Sequence, residues 1–222
     1  MASLKRWLDR RRNPWKAEFL DAYSRWKSEK GPVCLYDYGD LPKAPVVLDF
    51  GGFKGEWSDI VLKQAPDAII HIFEPHPGFA ALIREKFADN PNIHVHELAL
   101  GAESREMELS DAGDASSSVA NHDRVFAAQF LSVDSFIAET PLPRIDLVKI
   151  NIEGGEYELL PALIASGVLA RVARLQVQFH LFEPALSAAR AEIRDDLAKT
   201  HECVWDYPFV WEEWRRNDPP ET

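Results

Sequence analysis

The sequence predicts an α/β fold, a mostly parallel sheet flanked by helices, with an N-terminal helical extension. Three observations predict it. Short apolar runs stop abruptly at an acid or a turn, as in Val46-Val47-Leu48-Asp49 and Ala68-Ile69-Ile70-His71-Ile72-Phe73-Glu74. Between them lie segments whose apolar residues recur at helical spacing. The order strand, helix, strand, helix, strand over residues 46–100 then favours parallel strands joined by right-handed crossovers. The division expected is an extension over residues 1–44 and one domain over 45–222, with no internal repeat.

Composition narrows the class. The 222 residues are 46% hydrophobic, enough for a sizeable core. A net charge of -11 argues against nucleic acid as a partner, because neutralising phosphates takes a basic face. Cys34 and Cys203 are far apart and lack metal spacing, which suits a reducing compartment. No apolar run approaches the roughly 18 residues of a membrane span, and the N-terminus lacks a secretory apolar core. A cytoplasmic chain with no transmembrane segment is expected.

The extension opens on Lys5, Arg6, Arg10, Arg11, Arg12 and Lys16, most simply a solvated helix start. Trp15, Phe19, Ala22, Tyr23 and Trp26 then mark a helix that Gly31-Pro32 should end. After the first strand, Gly51-Gly52-Phe53-Lys54-Gly55 forms a tight turn into a helix, a place where backbone N–H groups approach a ligand closely. Trp57, Ile60, Val61 and Ala65 line one face of that helix, and Pro66 lies beyond it. Pro75 stops the second strand, Pro77 suits a first helical turn, and residues 93–100 read as a third strand.

Between residues 101 and 140 the rhythm changes. Glu106-Met107-Glu108-Leu109 alternates, Ser116-Ser117-Ser118 sits in a small polar loop, and added short strands with a possible lid are expected. A fourth strand follows over 145–152. Period two places Lys149, Asn151 and Glu153 on one face, and a covered parallel strand with such a face asks for a polar cavity or an ion pair for Lys149. The strand at 174–180 alternates and ends at His180, and a helix occupies 185–199. The tail carries Trp205, Tyr207, Trp211 and Trp214. It would complete the sheet edge, line a groove or make a homo-oligomer contact, with core packing the default.

Ligands of open α/β sheets bind outside the C-terminal strand ends, where Asp49, Glu74, Ala99, Asn151, Glu153 and His180 would gather. Glu74 is placed to accept hydrogen bonds from a ribose diol. The glycine turn lacks the G-x-G-x-x-G spacing that a dinucleotide pyrophosphate needs. An acidic strand end suits the sulfonium and amino groups of S-adenosylmethionine better. A methyltransferase is therefore favoured over a nicotinamide-dependent oxidoreductase; a catalytically silent binding module is the reading from another class.

Five stretches in order resemble the FkbM-type methyltransferases. They are Asp49-Phe50-Gly51-Gly52-Phe53-Lys54-Gly55, Ile72-Phe73-Glu74-Pro75, Leu98-Ala99-Leu100-Gly101, Ser132-Val133-Asp134-Ser135-Phe136, and the run from Ile145 to Glu156. The likeness covers about residues 45–182. It implies a class I, Rossmann-like methyltransferase fold and O-methylation with S-adenosylmethionine, often of a sugar, polysaccharide or related metabolite. By position it implies that Asp49, Gly51, Gly52, Phe53 and Gly55 surround the methionine part of the cofactor. Glu74 would hold the ribose, and Pro75, Leu98 and Ala99 would border the adenine. The family usually carries aspartate where this chain has Asn151. An amide is a poorer ligand for a hard cation, so no obligatory metal is expected. His180 is then the first candidate for general base and Glu153 the second, as base or orienter, with Asn151 beside them.

Overall fold

The computed structural model of the chain describes residues 12–110 and 125–217. The expected lid at Ser116-Ser117-Ser118, most of the basic N-terminal run and the final prolines lie outside the described residues. The first helices are α1 (Ala17–Ser28) and α2 (Gly31–Leu35). Next come β1 (Val46–Phe50), α3 (Glu56–Gln64), β2 (Ile69–Phe73), α4 (Pro77–Lys86) and β3 (Ile93–His96). The middle of the chain forms β4 (Ala99–Gly101), β5 (Arg105–Ser110), β6 (Val125–Ser132), α5 (Val133–Glu139) and β7 (Leu147–Ile150). The rest is α6 (Glu156–Ala165), β8 (Arg174–Val177), α7 (Leu186–Leu197), β9 (His201–Tyr207) and β10 (Trp211–Arg216).

Seven strands form the main sheet in the order β3-β2-β1-β7-β8-β10-β9. The first five are parallel, and β10 and β9 close the edge antiparallel. The chain first builds outward from β1 to β3 and then returns to β7 on the other side of β1. The crevice between β1 and β7 is therefore the topological switch point. Four residues of β1 and all of β7 and β8 are buried, as strands covered on both faces must be.

One core lies under Phe136 of α5, Leu159 and Leu163 of α6 and Ile193 of α7, packed on Phe50, Phe73, Val148 and Val177. The other lies under Trp57 and Val61 of α3 and Ile83 of α4, packed on Val47, Ile70 and Leu147. Each fully buried side chain of this kind contributes about 1.5–3 kcal/mol. Among the described residues no helix is long and apolar enough to cross a membrane.

The structure departs from two sequence expectations. Gly31-Pro32 opens α2 rather than ending α1; Lys30, at φ 56, makes the break. A Cβ at Gly31 would meet the Trp26 ring at 2.0 Å, so the indole itself demands glycine there. The strand expected over 93–100 is two strands in two sheets. β3 pairs with β2, whereas β4 joins β6 and β5 in a separate three-stranded sheet. The aromatic tail completes the sheet as β10 and β9. Trp214 enters the main core, while Tyr207 and Trp205 pack with Trp26 of α1.

Candidate active site

A cavity of about 280 Å³ opens at the C-terminal ends of β1, β2 and β7, roofed by β5 and β6 of the smaller sheet. Of the residues expected from sequence, Gly51, Phe53, Glu74, Pro75, Ala99, Asn151 and Glu153 line it. Among the described lining residues, Asp49, Gly52, Gly55, Leu98 and His180 do not appear.

Asp49 is spent beneath the turn. Its carboxylate accepts Lys149 Nζ at 3.0 Å and Ser58 Oγ at 2.7 Å, and it is 0% exposed. Lys149 Nζ also donates to the carbonyls of Phe50 (3.3 Å) and Gly51 (2.8 Å). Asp49 and Lys149 thus tie β1 to β7 and hold the turn from below. Asp49 therefore lies beneath the cavity rather than on its lining, and Lys149 points to Asp49 rather than grouping with Asn151 and Glu153. The period-two reasoning failed because β7 ends at Ile150, so Asn151 and Glu153 lie beyond the pleat.

The turn's amides are also spoken for. Gly51 and Gly52 N–H groups both donate to the Phe73 carbonyl, at 3.0 and 3.2 Å. Gly52 is a packing glycine, since a Cβ would meet Ile72 at 2.3 Å. Gly55, at φ 69, caps α3, and its carbonyl accepts Lys86 Nζ at 3.0 Å. These two glycines shape the turn rather than face the cavity.

Glu74 is held at the cavity wall, one residue past the end of β2. Oε2 accepts the Phe53 N–H at 2.7 Å and Oε1 the His76 N–H at 2.9 Å. Burial pushes its pKa up, and the two N–H donors pull it part of the way back. Phe53 stacks edge-on against Phe79 at 4.6 Å, giving the cavity an aromatic wall.

His180 lies behind the wall, between two acids. Its Nδ1 is 3.1 Å from Glu156 Oε1 and its Nε2 is 3.3 Å from Glu153 Oε1. Burial opposes charge on the ring, but the hydrogen bonds and charges of Glu153 and Glu156 outweigh it and raise the pKa to about 9. An imidazole protonated at neutral pH has no lone pair to offer, so this setting suits His180 to a role other than general base. Glu153 and Asn151 face the cavity instead, and Asn151 Oδ1 is buried without a partner among the described residues.

Sequence reasoning missed the roof. Arg105 of β5 forks onto Glu158 of α6, with both bonds at 2.7 Å, and lies over the Phe130 ring at 4.5 Å. The alternation around Met107 and Leu109 was visible and marks their inward face. No local pattern pairs Arg105 with Glu158, which are far apart in the chain. Gly101 gives a faint hint, because a Cβ there would meet Glu158 Oε1 at 2.7 Å.

The comparisons agree with this architecture. A relative, the AMB antimetabolite synthetase AmbE of Pseudomonas aeruginosa, is 26% identical over 207 residues, covering 72% of this chain. The chain spans only 10% of that protein's length. A candidate rRNA methylase from Clostridium thermocellum superimposes with a TM-score of 0.55 at 9% identity, over 83% of this chain and 94% of that one. An rRNA methylase from Streptococcus thermophilus gives 0.50 at 9% identity, over 80% and 90%. At such identities the likeness is one of fold, the class I methyltransferase fold. Residues 49–203 match the methyltransferase FkbM domain over most of the chain, and the chain belongs to that family.

Proposed function

We propose that the chain transfers a methyl group from S-adenosylmethionine to a hydroxyl of a sugar, polysaccharide or related metabolite. The observation that carries this is Glu74. Its carboxylate is held at the cavity wall by two backbone N–H groups, and each oxygen keeps a lone-pair site for a ribose hydroxyl. Gly51 and Phe53 would then meet the methionine part, with Pro75 and Ala99 beside the adenine. Asp49, Gly52, Gly55 and Leu98 would support that surface without touching the ligand. Asn151 Oδ1, buried and unpartnered among the described residues, suits a donor such as the cofactor's ammonium or the acceptor's hydroxyl.

When bound, the cofactor supplies an electrophilic methyl carbon on a sulfonium. The acceptor oxygen would take that methyl group and release the thioether, and Glu153, which lines the cavity, would receive the hydroxyl proton. Much of the acceleration comes from holding the reacting atoms in line, which is the work of the walls at Asn151, Glu153 and Phe53. The net charge of -11 favours an acceptor without a phosphate backbone, and the rRNA named for the two structural neighbours is said of them alone.

Calorimetry with S-adenosylmethionine and S-adenosylhomocysteine tests the reading. Both should bind, and Glu74→Ala should weaken both by about tenfold or more, the worth of one charge-assisted hydrogen bond. Folded wild-type chain that binds neither ligand would sink the proposal. A screen with labelled methyl donor against nucleotide sugars and polysaccharide fragments then separates an enzyme from a silent binding module.

A further inference from the structure

Glu153 holds a backbone conformation that L side chains rarely adopt, φ 50, next to Gly154 at φ 104. A left-handed residue with a side chain costs on the order of 1–2 kcal/mol and persists only where its surroundings enforce it. The enforcement is Glu156, which is 0% exposed. Its Oε2 accepts the Gly154 N–H at 2.8 Å. Its Oε1 accepts the His180 backbone N–H at 2.6 Å and faces the ring's Nδ1. One carboxylate therefore clamps the loop after β7 to the end of β8.

The clamp extends outward through the ring. Nε2 of His180 meets Glu153 Oε1, and Glu153, unlike its two partners, lines the cavity. His180 is held at backbone and ring: Tyr157 Oη donates to its carbonyl at 2.8 Å, and Phe182 stacks on the ring at an interplanar angle of 8°. Three side chains thus connect a buried carboxylate to the cavity lining.

We propose that Glu156 and His180 are positioning residues that hold the Glu153 carboxylate against the cavity, facing the reacting end of a bound methyl donor. The inference rests on the proposed methyltransferase function. It gives His180 a role that does not require it to lose a proton, and it gives a function to a buried acid that the chemistry does not otherwise use.

Two ligands with a common frame read the arrangement without any acceptor. S-adenosylhomocysteine is neutral at sulfur, whereas sinefungin carries an ammonium-bearing carbon in place of the methylsulfonium. Calorimetry on the full chain at pH 7 should show Glu153→Gln lowering the preference for sinefungin over S-adenosylhomocysteine by about tenfold. His180→Gln and Glu156→Gln should lower the same preference by roughly threefold while leaving S-adenosylhomocysteine affinity within about twofold. Loss of a merely structural contact would weaken both ligands alike. If His180 acted only as a cation, its removal would raise the preference, and that result overturns the proposal. So does a preference indifferent to Glu153→Gln. If neither ligand binds wild type, the methyltransferase reading fails first. Should the clamp variants not fold, ¹⁵N resonances of wild-type His180 decide: protons on both ring nitrogens at pH 8 and a shift on adding sinefungin support the clamp, and a neutral ring overturns it.

Discussion

At Gly51 the chain leaves β1 with φ 85, and a Cβ placed there would meet the Asn151 carbonyl oxygen at 2.0 Å. Two constraints coincide: a backbone conformation that disfavours side chains, and a neighbouring backbone with no room to yield. Gly167 shares the first constraint, at φ 72, but has nothing within 4 Å of the same position. The pair separates strain from clash. Gly167→Ala should cost about 1 kcal/mol, the conformational penalty alone. Gly51→Ala should cost roughly 2 kcal/mol or more and should also weaken S-adenosylhomocysteine binding, because the strand ends it pushes apart both line the cavity. Urea denaturation and calorimetry on the two variants check this; equal stability losses would show that the close approach to Asn151 is unimportant.

Among the elements, the central strands carry a polar row. Asp49, Lys149, Gln176 and Glu213 are register partners across β1, β7, β8 and β10. All four are buried. Ser58 satisfies one end and Arg174 the other, while Tyr38 Oη donates to Gln176 and receives the Trp57 indole N–H. Lys149→Met should therefore destabilise by ~3–5 kcal/mol, since it strands the Asp49 charge, and Asp49→Asn added to it should recover part of the loss. Urea midpoints of the single and double variants measure this, and no recovery in the double would show that the pair is not coupled.

This row explains what was legible in the sequence. The apolar runs and the glycine turn displayed strands, helices and the rim, because those follow from local spacing. The ion pair for Lys149 was one of the two readings its position allowed. Which carboxylate faces the cavity was not legible, because both acids follow an apolar run; the register shows Asp49 inside β1 opposite Ile72 and Glu74 one residue past β2. The Arg105–Glu158 fork and the Glu156 clamp join segments whose meeting depends on the crossovers. For the same reason His180 looked like a base: the acids on its two nitrogens come from a different element.

For the molecule as a whole, two sets of histidines set opposite pH limits. His71 and His96 face each other across β2 and β3, Nδ1 to Nε2 at 3.0 Å. Burial, then the neighbouring histidines, lowers both to about 4. Unfolded, they take up protons near pH 6.5, so acid favours the unfolded chain, and stability is lost as pH falls from about 6.5 toward 4. His180 has the opposite sign. Its folded pKa of about 9 lies above the unfolded value, so its contribution is complete below about pH 6.5 and is lost as pH rises through 9. The two windows meet near pH 6.5, and with two such groups on the acid side against one on the alkaline side the acid arm should be about twice as deep. His71→Phe should remove about half of the acid arm, its ring already being packed at 6.1 Å from Phe136, while His96, held low by burial and His94, keeps its share. His180→Gln should flatten the alkaline arm and leave the acid arm unchanged. Urea denaturation from pH 4 to 9.5 on the three proteins measures both arms. An alkaline arm that survives His180→Gln would mean that the imidazole between Glu153 and Glu156 holds no extra proton in the folded state.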